Sequence, residues 1–164
     1  MGPFTTIEED VVIGDGCRIG ANASILNGTR MGSNCNIFPG AVVGASPQDL
    51  KFEGESSTLE IGNNVTIREY CTINRGTKAS FKTYIGDHCL LMAYVHVAHD
   101  CIVGPHSILA NNVNLAGHIH VGHHVVIGGL VAVHQFVKIG DHVMVGGGSL
   151  VRKDIPPFVK AARE

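Results

Sequence analysis

All ten histidines of this 164-residue chain lie between His88 and His142, and imidazole is the side chain that most readily gains or loses a proton near neutral pH. Two sets stand out. His96, His99, His118 and His134 recur within a short span, and His88, His106, His124 and His142 repeat at intervals of 18 residues. Imidazole is also a common metal ligand, but a column of rings side by side does not converge on one ion, so the second set reads as a surface or interface stack. Further upstream, Pro47-Gln48-Asp49-Leu50-Lys51 places an acid and a base two residues apart after a turn. There Asp49 can accept hydrogen bonds from a hydroxylated substrate while Lys51 meets a phosphate as a compact cation. An ordinary solvated loop would carry the same residues.

What positions these side chains is a rhythm of six. From Ile7 to Val151, every sixth residue is Ile, Val, Leu or Met except Asp49, Glu55 and Ala79. This period suits neither a lone helix nor a half-buried strand, and it does suit a β-solenoid in which each hexapeptide is one short strand plus one corner. The exceptions fall in two polar stretches, 45–60 and 78–83, read as loops thrown out from the coil. Half of the filled slots are followed by Gly, as in Ile13-Gly14, Val103-Gly104 and Ile139-Gly140, so the next residue is read as a turn position where a side chain is unwelcome. Three hexads make one coil of 18 residues. Coils stacked at about 4.8 Å give a prism roughly 40 Å tall.

Coil arithmetic makes the first histidine set spatial. His118 lies 18 residues after Asp100, so it stacks on the neighbour of His99, and His134 falls one place short of the column holding His99 and Gly117. These residues can line one groove.

Cys17, Cys35, Cys71, Cys89 and Cys101 all occupy the fifth place of their hexads, elsewhere filled by Ala23, Ala41, Val65, Ser107 or Val125. That place points inward and wants something small, so the cysteines read as small buried hydrophobes rather than disulfides or metal ligands. Five such thiols fit a reducing, cytoplasmic compartment. The length gives one domain, β-helical over 1–156 with a short tail at 157–164. A net charge of −2 supplies no basic field for nucleic acid. The N-terminal Met1-Gly2-Pro3-Phe4 followed by Glu8-Glu9-Asp10 does not read as a signal peptide, and the stretch 125–133 is too short for a membrane span.

Five strings carry a more specific signal: 47–52 (Pro47 to Phe52), 67–77 (Ile67 to Thr77), Ala98-His99-Asp100-Cys101, Leu115-Ala116-Gly117-His118 and Ala132-Val133-His134-Gln135-Phe136. In order and spacing they resemble the UDP-N-acetylglucosamine acyltransferases that begin lipid A synthesis, across essentially the whole chain. The resemblance implies an all-β, left-handed parallel β-helix, against the right-handed preference of ordinary crossovers. It also implies a homotrimer with active sites in grooves between subunits. The implied reaction moves a 3-hydroxyacyl chain from acyl carrier protein to the 3-position of the glucosamine ring of UDP-N-acetylglucosamine. No cofactor or metal of its own is implied, the phosphopantetheine arriving on the carrier protein.

By the same resemblance His99 matches the general base, Asp100 the residue that orients it, and Gly117 the backbone N–H that stabilises the oxyanion. Asp49, Lys51, His96, His118, His134 and Gln135 match substrate-binding positions. Gly147, within Gly146-Gly147-Gly148, matches the residue at the far end of the acyl channel, where glycine admits long chains. The chain departs from the family in an initial coil and a helical C-terminal segment that it does not match, and in Asn74, where a relative carries histidine. The tail from Lys160 to Glu164 reads as the beginning of a helix. Two other readings stay open: a hexapeptide-type zinc carbonic anhydrase, for which His118 and His123 have a usable spacing, and a non-catalytic trimeric scaffold.

Overall fold

A strand in this protein needs only two residues, one pointing out and one pointing in. The computed structural model describes residues 1–162. Among them the regular elements are all β-strands, most of them pairs such as His96–Val97, Asn114–Leu115 and Ala132–Val133. They assemble into three parallel sheets of eight, seven and eight strands, each strand but the last pairing with one three positions away in sequence order. Registers such as His96↔Asn114, Asn114↔Ala132 and Ala132↔Leu150 show the step of 18. The second residue of each pair is the hexad slot, and Ile73, Val97 and Leu115 are fully buried there. One stack of Ile, Val and Leu thus fills the bore of the prism.

The fifth-place cysteines do more than fill space. Each thiol donates to a carbonyl of the adjacent coil: Cys17 to Gly32, Cys35 to Gly62, Cys71 to Met92, Cys89 to Gly104 and Cys101 to Ala116, at 3.0–3.2 Å. Ser107 makes the same bond to Gly122 at 3.0 Å. A small residue with a donor suits a place where a buried carbonyl needs a partner. Burial pushes the thiols of Cys35, Cys71 and Cys89 up to about 11 and that of Cys101 to about 12, so they are inert at neutral pH. Cys17, in the first coil, is only half-buried.

The corners differ from the sequence reading. Apart from Gly44, the glycines after the slots have ordinary φ, and what excludes a side chain there is the next coil. A Cβ on Gly104 would lie 2.6 Å from the Gly122 carbonyl carbon. The left-handed residues sit two places later and most are not glycine: Asn34, His88, Asp100, His106, His118, His124 and Phe136 all have φ between 53° and 67°. Left-handed backbone costs an L-residue about 1–2 kcal/mol. Here the N–H of each such residue except Asp100 bonds a carbonyl one coil away, as His106 does to Asp87 at 2.9 Å.

The first loop is shorter than expected and the second begins earlier. Strands Val42–Ala45, Thr58–Ile61 and Lys82–Ile85 run into both polar stretches, and Lys82 and Thr83 pair with Thr58 and Leu59. The true excursions are 46–57 and 75–81. The first leaves after Gly44, whose φ of +89° and lack of room for a Cβ beside Thr29 make glycine obligatory. Nor is the tail a helix. Ile155 bridges Ile139, and Lys160–Ala161 pairs with Met144–Val145, a step of 16 instead of 18. The coil therefore continues past 156 in a frame two residues early, the short corner falling at Arg152 to Asp154. Arg163 and Glu164 lie outside the described residues.

The 18-residue histidine column is a stack. His88, His106, His124 and His142 lie 4.8, 4.8 and 5.0 Å apart with planes within 6°, and Phe158 caps it 5.0 Å beyond His142. His123 meets His124 and His142 edge-on and pairs with Asp141 at 3.1 Å. Desolvation, then the charges of His106, His142 and His123, lower the pKa of His124, with Asp141 opposing. A folded pKa below the unfolded value of about 6.5 means that the unfolded chain binds the proton first, so stability drops as pH falls below that value. Thermal midpoints should fall between pH 7.5 and pH 5, and His124→Asn should flatten the fall while keeping the fold, since Asn34 and Asn64 already hold this column's left-handed conformation. An unchanged pH slope in the variant would show that the stack does not titrate as a unit.

Candidate functional site

The carboxylate of Asp100 organises this site. Asp100 stands at a left-handed corner with φ 59°, and its own N–H donates to Thr83 Oγ1 at 2.9 Å. Its side chain is 1% exposed. Burial alone would raise its pKa, but donors outweigh it: Ser80 Oγ, Thr77 Oγ1, His99 Nδ1 and the Thr77 N–H hold it at about 2. The group is ionised throughout the neutral range. Because a carboxylate only accepts, His99 Nδ1, 2.8 Å from Asp100 Oδ2, carries the proton. In the neutral ring this leaves the lone pair on His99 Nε2.

The ring of His99 lies over Gly117, one coil away. A Cβ on Gly117 would sit 2.5 Å from His99 Cε1 and 2.8 Å from Nε2. No acceptor among the described residues takes the Gly117 N–H. His118 meets His99 edge-on, with ring centroids 5.0 Å apart, while its face stacks on Phe136 at 4.5 Å. Its Nδ1 is 3.8 Å from Asp100 Oδ2, too far for a hydrogen bond. His96 Nδ1 lies 2.7 Å from Thr72 Oγ1. Burial lowers the His96 pKa, only partly opposed by Thr72 and reinforced by His99. Among the described residues, His99, Asp100 and His118 are the one set with metal-ligand atoms mutually within 4.8 Å. The spacing from Nδ1 to Oδ2 is that of a hydrogen bond.

His134 and Gln135 continue the corner one coil further and are exposed. The Phe136 N–H bonds the Gly117 carbonyl at 3.1 Å, which fixes Gln135 beside Gly117 in the column. Asp49 and Lys51 ride on the 46–57 excursion, which leaves the same corner. Asp49 Oδ1 accepts the Lys51 N–H at 3.0 Å, so one of its oxygens caps a local turn and the other remains for a ligand. Among the described contacts neither residue touches the histidines. Asn74 is buried and its amide nitrogen donates to the Ser46 carbonyl at 3.0 Å, tethering that excursion.

Gly147 stands apart. It follows the Met144–Val145 strand of the third sheet, whereas His99 follows His96–Val97 of the first. The two belong to different corners of the prism. His118 and His123 are likewise at different corners, the latter packed in the histidine stack, so within one copy of the chain they do not face a common ion. Sequence reasoning missed Thr77, Ser80 and Thr83 as parts of the site. They belong to or border an excursion, outside the 18-residue arithmetic that located the histidines.

This architecture defines a hexapeptide-repeat protein, and the bacterial transferase hexapeptide (six repeats) family matches residues 2–27, 10–45 and 82–117. The acyl-[acyl-carrier-protein]–UDP-N-acetylglucosamine O-acyltransferase of Aquifex aeolicus is 64% identical over 62 residues, covering 37% of this chain and 24% of that protein. LpxA of Acinetobacter baumannii superposes with a TM-score of 0.97 at 49% identity, covering 99% of this chain and 64% of that one. The UDP-N-acetylglucosamine O-acyltransferase (LpxA) of Moraxella catarrhalis gives 0.85 at 43% identity, covering 98% and 70%. The chain belongs to the UDP-N-acetylglucosamine O-acyltransferase family, and its coil is a left-handed parallel β-helix. It spans about two thirds of the length of these solved relatives.

If Gly117 is the floor on which His99 rests, Gly117→Ala should displace the imidazole without unfolding a coil held by many other bonds. We expect a Tm close to that of the unaltered protein and loss of the His99 Nδ1–Asp100 hydrogen bond, read in long-range proton–nitrogen spectra of histidine-labelled protein. An unchanged His99 signal in the alanine variant would show that the ring does not rest on Gly117.

Proposed function

We propose that this chain transfers a 3-hydroxyacyl group from acyl carrier protein to the 3-hydroxyl of UDP-N-acetylglucosamine, the first step of lipid A biosynthesis, in the cytoplasm. The observation that carries this reading is His99 itself. Its Nδ1 is tied to an ionised carboxylate and its Nε2 lies over a glycine with an uncommitted N–H. In the proposed step Nε2 takes the hydroxyl proton as the sugar oxygen attacks the thioester carbonyl. The oxyanion of the tetrahedral intermediate is met by the Gly117 N–H. Collapse expels the phosphopantetheine sulfur, which leaves as the thiol with the proton from His99, and the new ester bond replaces the thioester bond. Asp100 stabilises the imidazolium that exists in between.

In this reading His96, His118, His134 and Gln135 line the sugar end of the groove, with Asp49 and Lys51 reaching the hydroxyls and phosphates. Gly147 bounds the acyl chain from another corner, and a groove that includes both needs a second copy of the chain. The outward face of the third sheet supports such an assembly. Leu90, Ile108, Val126 and Met144 line up in register there, where the first sheet presents Thr72, His96 and Asn114. An apolar stripe over four coils calls for a cover, and a homotrimer supplies it for each copy.

The deciding experiment is turnover with acyl carrier protein thioesters and UDP-N-acetylglucosamine. His99→Ala should reduce it by about 10²- to 10⁴-fold, while His106→Ala, in the exposed stack, should do little. In the same assay Gly147→Met should shift preference from long toward shorter 3-hydroxyacyl donors. Equal losses at His99 and His106, or an unchanged length preference, would refute the respective assignments.

Light scattering at micromolar concentration should return a trimer mass, and Ile108→Glu with Val126→Glu should lower it. A stable monomer from the unaltered chain would remove the shared groove.

A further inference from the structure

The 75–81 excursion contacts the catalytic corner through a single group. Thr77 donates its N–H to Asp100 Oδ1 at 3.0 Å and its hydroxyl to Oδ2 at 2.6 Å. Ser80 Oγ lies between Asp100 Oδ1 at 2.5 Å and the Lys82 carbonyl at 2.9 Å, and its one proton favours the charged acceptor. With His99 Nδ1 these fill the lone-pair sites that a carboxylate offers. The excursion is itself fixed. The Phe81 N–H returns to the Thr77 carbonyl at 2.7 Å, the Ala79 N–H to Thr77 Oγ1 at 3.2 Å, and the Lys78 N–H is held by Glu55 Oε1 at 2.9 Å.

Two histidines compete for the same oxygen. His99 Nδ1 is 2.8 Å from Asp100 Oδ2 and His118 Nδ1 is 3.8 Å from it. A modest rotation of the carboxyl group would exchange one for the other. What prevents that rotation is the pair of bonds on Oδ1 together with the Thr77 hydroxyl on Oδ2.

We propose that Thr77 and Ser80 are positioning residues: they lock the Asp100 carboxylate so that it serves His99 instead of His118, which keeps His99 in the Nδ1–H tautomer with Nε2 open to the groove. The inference rests on the general-base reading of His99. Thr77 acts through the bond it shares with His99 on Oδ2, and Ser80 through the orientation of the carboxyl plane. Neither touches substrate.

The test uses the unaltered chain, Thr77→Val, which keeps shape and N–H but removes the hydroxyl, Ser80→Ala on the exposed side of the excursion, and Thr77→Ser. Long-range proton–nitrogen spectra of histidine-labelled protein, without substrate, report the tautomer of each ring. We expect His99 as Nδ1–H in the unaltered chain and in Thr77→Ser, and a shift toward Nε2–H in Thr77→Val, with a smaller shift in Ser80→Ala. In the acyl transfer assay kcat should fall roughly ten- to a hundredfold in Thr77→Val with little change in KM, as for a misplaced reacting group. An unchanged His99 tautomer in both Thr77→Val and Ser80→Ala overturns the proposal, whatever happens to kcat. Should Thr77→Val not fold, Ser80→Ala decides alone by the same criterion. Because the spectra need no substrate, failure of the acyltransferase reading leaves a distinct signature: the tautomer shift without turnover in any form.

Discussion

Nearly every corner above the first coil is closed by one repeated backbone bond, in which the N–H of a left-handed residue reaches a carbonyl one coil away; at Asp100 the acceptor is Thr83 Oγ1 instead. Asn34 bonds Asp15, His106 bonds Asp87, His118 bonds His99 and Phe136 bonds Gly117, all between 2.8 and 3.1 Å. The bond offsets the strain of the corner and fixes the vertical spacing of whatever the corners carry. At most corners it aligns rings and amides with no further consequence. At one corner it sets His118 against His99, and Gly117 beneath His99. The site is a local use of the constraint that builds the whole prism.

Electrostatics do the rest, and they act over short range. The buried Asp100 would be unfavourable without donors. It collects them from both sides: Thr77 and Ser80 from an inserted loop, and His99 from its own corner. The result is a fixed negative charge that settles which imidazole nitrogen holds a proton. The exposed stack shows the contrasting case, in which imidazoles lie 4.8–5.0 Å apart and, at His124, desolvation and then the neighbouring histidines outweigh Asp141.

The architecture was legible because the hexad rhythm is long and its exceptions confined. The same arithmetic sets His118 on the neighbour of His99 from residue spacing alone. It fails where the chain leaves that frame. Thr77 and Ser80 reach Asp100 from an insertion, where sequence separation says nothing about height along the prism. The two-residue slip before Ile155 has no signature beyond Asp154-Ile155-Pro156-Pro157, and proline after a broken beat reads more readily as an end than as a shortened corner. Local propensity also misled at the corners. Glycine marked the place where coils approach closely, while the positive φ fell on His, Asn and Phe, because ring stacking and the inter-coil bond matter more than intrinsic preference there.

Both excursions, 46–57 and 75–81, leave from the corner that carries His99, and both hand the chain back in step with the coils below. In a wound rod, any insertion that returned out of step would rotate every later corner by a third of a turn, and columns far from it would lose their alignment. Extra residues can be accommodated only as closed detours. Such detours are therefore where a rod of fixed pitch can gain new side chains, and in this protein they carry the carboxylate of Asp49, the ammonium of Lys51 and the hydroxyls that hold the charge behind His99. The rod sets distance along its axis, and the detours set what is met at each height.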